Sequence, residues 1–179
     1  TGMQAIPATG AAQGVQYLER KKLLTAPEPP VVVCSMGDGS VTEGEVSEAF
    51  QFAVLKQLPI IYLIQDNNWG ISVRADESRA MNSFEYAAGF KGMNRVQVDG
   101  SDFEMSFNIM KDVCEFVRAQ RKPCLVHAQV PLLGHHTSGV RKEFYRTDED
   151  LEKHSLDDPF YKLRNRLLAI GLVEEHLQF

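Results

Sequence analysis

Two nearly unbroken apolar runs, Val31 to Met36 and Pro59 to Ile64, flank a segment whose apolar residues recur at helical spacing: Val46, Ala49, Phe50, Ala53, Val54 and Leu58. A half-exposed strand alternates polar and apolar residues, whereas an unbroken run needs cover on both faces. Two such strands joined by a helix-length crossover make a βαβ unit, in which the strands run parallel. The pattern then repeats. Phe84 to Phe90 reads as a short helix, Arg95 to Val98 as a strand, Asp102 to Ala119 as a helix capped by Asp102, and Pro123 to Val130 as a fourth strand. Ala11 to Leu24 precedes this series as an amphipathic helix ended by Pro27, Pro29 and Pro30. Asp158 to Ile170 closes it, started by Asp158-Pro159 and stopped by Gly171. Between them Pro131 to Thr147 is a polar, glycine-containing loop. The expected architecture is α/β, a mostly parallel sheet with helices on both faces, in one domain spanning residues 1–179.

Composition narrows the function classes. A chain of 179 residues buries enough surface for a core of its own. A net charge of -5, with 24% charged and 44% hydrophobic residues, carries no basic excess for nucleic acid. No run is apolar enough to span a membrane, and the start lacks the order of a signal peptide. The chain opens on Thr1 as if already inside a loop, which reads as a piece of something longer. Cys34, Cys114 and Cys124 form no CxxC spacing, and two of them lie in apolar strand-like runs and read as inert filling, which suits a reducing compartment.

In open parallel sheets, ligands sit beyond the carboxyl ends of the strands. Gly37-Asp38-Gly39 follows the first strand and Asp66-Asn67-Asn68-Trp69 the second. A carboxylate on a glycine-flanked turn and an amide oxygen from the next strand end can share one Mg2+, while the glycines let backbone N–H groups approach phosphate. The bland alternative is that Asp38 closes a turn and Asn67 caps a loop.

Four motifs occur in one order: Gly37-Asp38-Gly39-Ser40-Val41-Thr42-Glu43-Gly44-Glu45; Asp66 to Val73; Val98-Asp99-Gly100-Ser101-Asp102; and Gly134-His135-His136-Thr137-Ser138, with Tyr145-Arg146-Thr147 after it. On these motifs the chain resembles the α-subunit, or the α-part of a fused chain, of the thiamine-diphosphate-dependent E1 component of 2-oxo acid dehydrogenase complexes. The resemblance covers nearly the whole chain and implies the diphosphate-binding half of a thiamine-diphosphate-binding fold. It implies Mg2+ held by Asp38, Asn67 and the carbonyl of Trp69. It implies diphosphate contacts from Gly37, Gly39, Ser40, Gln65 and His136, and a catalytic proton-transfer role for His136.

The reaction so implied is oxidative decarboxylation of a 2-oxo acid, with acyl transfer to a lipoyl-bearing E2 component. Two alternatives stand beside it: another thiamine enzyme such as a transketolase, and a non-catalytic module that binds metal and diphosphate or serves assembly. The resemblance implies that the activating glutamate belongs to a β-subunit or β-part, which these residues are not expected to include; Glu43, Glu45 and Glu48 are expected at the wrong end of the cofactor. The chain is therefore expected to be inactive alone, to work in an oligomer, and to reside in a bacterial cytoplasm or a mitochondrial matrix.

Two departures from the family stand out. Gln65 stands near a position where relatives often carry an arginine, so it offers the diphosphate a neutral hydrogen bond only. After Ser138 a basic pair, Arg141-Lys142, replaces the acidic stretch of some members, which alters the surroundings of the candidate phosphorylation sites Thr137 and Ser138. His127, His154 and His176 read as structural or solvated.

Overall fold

The computed structural model describes residues 2–172; His176 lies outside them. Four strands form one parallel sheet: β1 (Val32–Gly37), β2 (Ile60–Asp66), β5 (Asn94–Asp99) and β6 (Cys124–Gln129), in the order β1-β2-β6-β5. The two-residue strands β3 (Trp69–Gly70) and β4 (Val73–Arg74) make a separate antiparallel hairpin just after β2. The helices are α1 (Ala5–Arg20), α2 (Gly44–Lys56), the single turns α3 (Ala75–Ser78) and α4 (Ser83–Tyr86), α5 (Phe103–Gln120), α6 (Asp148–Leu156) and α7 (Pro159–Ala169). Among the described residues no helix is long and apolar enough to cross a membrane.

The unbroken run of β2 has the predicted cause, whereas β1 departs from it: at the edge of the sheet it buries Cys34 and Met36 on one face and leaves Val33 49% exposed on the other. Ile60, Tyr62 and Ile64 of β2 point to one face with Cys34, Met36 and Leu125, and α1 and α2 cover them through Ala5, Ala12, Val46, Ala49, Phe50 and Ala53. Ile61 points to the other face with Cys124, Val126 and Ala128, covered by Val113 and Val117 of α5. Each fully buried side chain of this size contributes roughly 1.5–3 kcal/mol relative to exposure. Tyr62 keeps its hydroxyl paired, 2.6 Å from Thr9 Oγ1 and donating to the Ala49 carbonyl at 3.2 Å. The cysteines are free, and burial pushes the Cys124 thiol up to about 12, which keeps it protonated and unreactive.

The expected caps are present. Asp102 accepts from the Met105 N–H at 2.9 Å, Asp158 from the Phe160 N–H at 2.9 Å, and Gly171 ends α7 at φ 95°. The β3–β4 hairpin and the single turn α3 lie where no element was expected, and two longer helices also depart from expectation. The first helix starts at Ala5 rather than Ala11 and stops at Arg20 rather than Leu24, because Ala5, Thr9 and Ala12 pack through small size instead of through an apolar stripe. The second is α6, an unexpected helix with no buried residue, set by the Thr147 cap and by acids in its first turn.

Register brings the strands to one edge. Gly37 pairs with Gln65, and Gln129 pairs with both Asp66 and Asp99, so the chain leaves β2, β5 and β6 at one level. β5 is reached by skipping the position of β6, so the strand order reverses there. The turn after β5 lies so close to β6 that a Cβ at Gly100 would stand 2.5 Å from Val130 Cγ1 and 2.8 Å from the Gln129 carbonyl oxygen, and only glycine fits.

Candidate functional site

A cavity of about 680 Å³ opens at this edge, with Asp66, Asn67, Arg79, Asp99, His127 and Asp150 in its wall. Asp38 lies just behind it, 3% exposed, in the 3-10 turn that follows β1. Arg79 joins the two. Its Nη2 is 2.5 Å from Asp38 Oδ2 and donates to Asp66 at 3.1 and 3.2 Å, while the side chain is 7% exposed. Asp38 Oδ2 still receives no aligned hydrogen bond, so its contact with Arg79 is Coulombic and poorly directed. Burial and the neighbouring Asp66 charge push the Asp38 carboxyl up, outweighing the guanidinium.

His127 supports Asp66 from β6. Its Nε2 is 3.7 Å from Asp66 Oδ2 and its Nδ1 is 2.6 Å from Ser83 Oγ. Burial pushes this imidazole down, so it is neutral at pH 7. A ring with Nε2–H facing the carboxylate and Nδ1 accepting from Ser83 suits both partners.

The Asp66-to-Trp69 segment folds on its own side chains: Asn68 N–H donates to Asp66 Oδ1 at 2.9 Å and Trp69 N–H to Asn67 Oδ1 at 3.0 Å. Asn68 takes φ 66°, a value asparagine tolerates. Trp69 is buried, with its ring centroid 5.3 Å from that of Tyr145 and 5.7 Å from the Arg146 guanidinium. Arg146, Asp150 and His154 form a clamp there. Arg146 Nε lies 2.5 Å from Asp150 Oδ2 and Nη1 donates to the Leu132 carbonyl at 2.9 Å, while His154 Nδ1 accepts from the Leu132 N–H at 2.8 Å. Burial raises the Asp150 carboxyl, but the Arg146 hydrogen bond and charge more than reverse that and hold it below its usual value. Both ends of the long loop are thereby tied to α6.

Of the residues singled out in the sequence, Asp38, Asn67 and Trp69 fall at neighbouring strand ends, with Gly37, Gly39 and Ser40 on the turn between β1 and α2. A Cβ at Gly37 or Gly39 would meet nothing within 4 Å, so no packing demands glycine there and the turn faces open space that a ligand can fill. Gln65 accepts from Ser35 Oγ at 3.1 Å. His136 is exposed and is not part of the cavity wall; the structure does not bring it to Asp38. Among the described residues no three His, Cys, Asp or Glu side chains converge on a metal geometry. An ion here would rely on amide and carbonyl oxygens beside Asp38, a donor set that suits a hard cation. The sequence holds no functional signal for Arg79 or Asp150, and His127, expected to be structural or solvated, is buried against Asp66. Arg146 carries a signal as part of Tyr145-Arg146-Thr147.

The sequence matches the family described as dehydrogenase E1 component over residues 1–178. It is 32% identical over 177 residues to the 3-methyl-2-oxobutanoate dehydrogenase subunit alpha of Mycobacterium tuberculosis, covering 99% of this chain and 46% of that protein. With the pyruvate dehydrogenase E1 component subunit alpha of Mycoplasma genitalium it shares 31% identity over 164 residues, covering 92% and 45%. The chain spans a little under half the length of these curated relatives. A transketolase from Campylobacter jejuni superposes on 89% of the chain, and on 26% of its own, with a TM-score of 0.64 at 20% identity, a likeness of fold.

Proposed function

The chain belongs to the dehydrogenase E1 component family, and from that premise we propose that it is the diphosphate-binding part of a thiamine-diphosphate-dependent 2-oxo acid dehydrogenase. The observation that carries this reading is a buried carboxylate, Asp38, with an oxygen that lacks an aligned hydrogen bond, beside a glycine turn that opens onto free space. In this reading Asp38, Asn67 and the Trp69 carbonyl hold Mg2+. Asn67 Oδ1 can do so while it keeps the Trp69 N–H, since an amide oxygen has two lone pairs. Gly37, Gly39 and Ser40 offer backbone to the diphosphate, and Gln65 a neutral hydrogen bond. Bound thiamine diphosphate supplies the carbanion chemistry of decarboxylation. His136, carried on the clamped loop, reaches the site only after the loop moves and then donates a proton. A β-part completes the site, and a lipoyl-bearing E2 takes the acyl group.

The test combines the full chain with a β-partner, Mg2+ and thiamine diphosphate, and measures CO2 release from 2-oxo acids. Asp38→Ala and Asn67→Ala are each expected to weaken calorimetric cofactor binding by about tenfold or more, the loss of one charged or polar ligand. Undiminished affinity in both variants sinks the site assignment. Turnover of ketose phosphates instead of 2-oxo acids favours a transketolase, and binding with no turnover favours a non-catalytic module.

A further inference from the structure

The two acids at the strand ends carry two negative charges, and one guanidinium reaches both. An arginine locked between two carboxylates is ordinarily a permanent bridge. Four observations set this one apart. Its contact with Asp38 is short but unaligned, whereas both of its contacts with Asp66 are formed hydrogen bonds. One guanidinium faces two carboxylates, so the charge balance leaves one negative charge uncompensated. Arg79 lies in the cavity wall and Asp38 does not, so the guanidinium is the neighbour that any ligand in the cavity meets first. Arg79 also sits just past the single-turn helix α3 in extended conformation (φ -149°, ψ 144°), on a connection between strands rather than inside a helix or strand.

We propose that Arg79 occupies the place of the cation in the metal-free protein, and that on ligand binding it releases Asp38, stays hydrogen-bonded to Asp66 and turns its free N–H groups onto the diphosphate. This rests on the reading of Asp38 as a metal ligand. It gives the diphosphate the positive charge that Gln65 cannot provide. A guanidinium is suited to the exchange because its donors form a planar fork, able to keep one carboxylate while engaging phosphate oxygens with the others. Metal and diphosphate would then bind cooperatively, since each arrival removes a cost that the other would otherwise meet.

The test uses the full chain with Mn2+ alone and with inorganic diphosphate at saturating Mg2+, followed by calorimetry and by the emission of Trp69, the single tryptophan. In Arg79→Met the Mn2+ affinity should rise about fivefold or more, because a competing cation is gone, and the diphosphate affinity should fall about tenfold, the loss of a charge-assisted hydrogen bond. Arg79→Lys guards against a folding defect. It keeps the charge but cannot span both acids, so Mn2+ affinity should still rise while diphosphate affinity falls less. Unchanged or weaker Mn2+ binding in both variants, or unchanged diphosphate binding in Arg79→Met, overturns the exchange. Asp38→Asn separates the two levels. If it leaves Mn2+ binding at wild-type strength, the metal-site reading itself fails; if it abolishes binding while the arginine variants behave as wild type, only the exchange fails.

Discussion

At the scale of the residue, the site region contains one backbone conformation that the sequence conceals. Ile71, at the tip of the β3–β4 hairpin, has φ 58° and is 46% exposed. A β-branched residue is costly in the left-handed region, and here little burial offsets the cost. Ile71→Gly should therefore raise the unfolding free energy by about 1 kcal/mol, read from urea midpoints at constant m. A destabilised variant would mean that the isoleucine side chain supports the hairpin through packing. The same hairpin follows directly from Asn67 and Trp69, so its rigidity bears on how sharply the candidate ligands are placed.

At the scale of the element, α6 acts as an anchor rather than as core. It buries none of its own residues, yet its Asp150 holds Arg146, which donates to the Leu132 carbonyl, and its His154 accepts from the Leu132 N–H. The Arg146 side chain is fully buried and Asp150 about a quarter exposed, so the pair is stronger than a surface bridge and weaker than a fully buried one. Arg146→Met should cost about 2 kcal/mol and speed amide exchange across residues 131–147, and Trp69 emission should shift because its ring loses the guanidinium. Exchange confined to its wild-type pattern would show that the loop is held by something other than this clamp. The sequence pattern left 131–147 as one free loop, since Arg146 has no apolar periodicity and its partners are distant until the chain has folded.

At the scale of the whole molecule, two imidazoles couple folding to pH. Burial pushes both His127 and His154 below their usual value, so as pH falls through about 6.5 the unfolded chain takes up protons before the folded one does. Stability is then fully present above about pH 6.5 and declines as pH falls through the lower folded values. Urea midpoints measured from pH 8 to pH 5 should fall on the acid side, and His127→Asn should flatten that decline without abolishing it, because His154 remains. An equal decline in the variant would assign the effect to other groups.

What the sequence by itself determined is the sheet, its parallel sense and its ligand edge. Unbroken apolar runs at β1 and β2 mark buried strands, although only β2 is covered on both faces, and the helix-length connection between them permits parallel pairing. The turns after those strands were legible for the same reason, since Gly37-Asp38-Gly39 and Asp66 to Trp69 are contiguous motifs. Only the tertiary structure decided who stands beside whom. Arg79 bridges Asp38 and Asp66 from a connection with no periodic signal, His127 reaches Asp66 across β6, and Arg146 reaches back to Leu132. Ion pairs and hydrogen bonds of this kind depend on distances of a few ångströms between residues far apart in the chain, and side-chain periodicity carries information about faces, not about such distances. His136 marks the same limit from the other side: its motif was plain in the sequence, and yet the folded loop holds it in solvent.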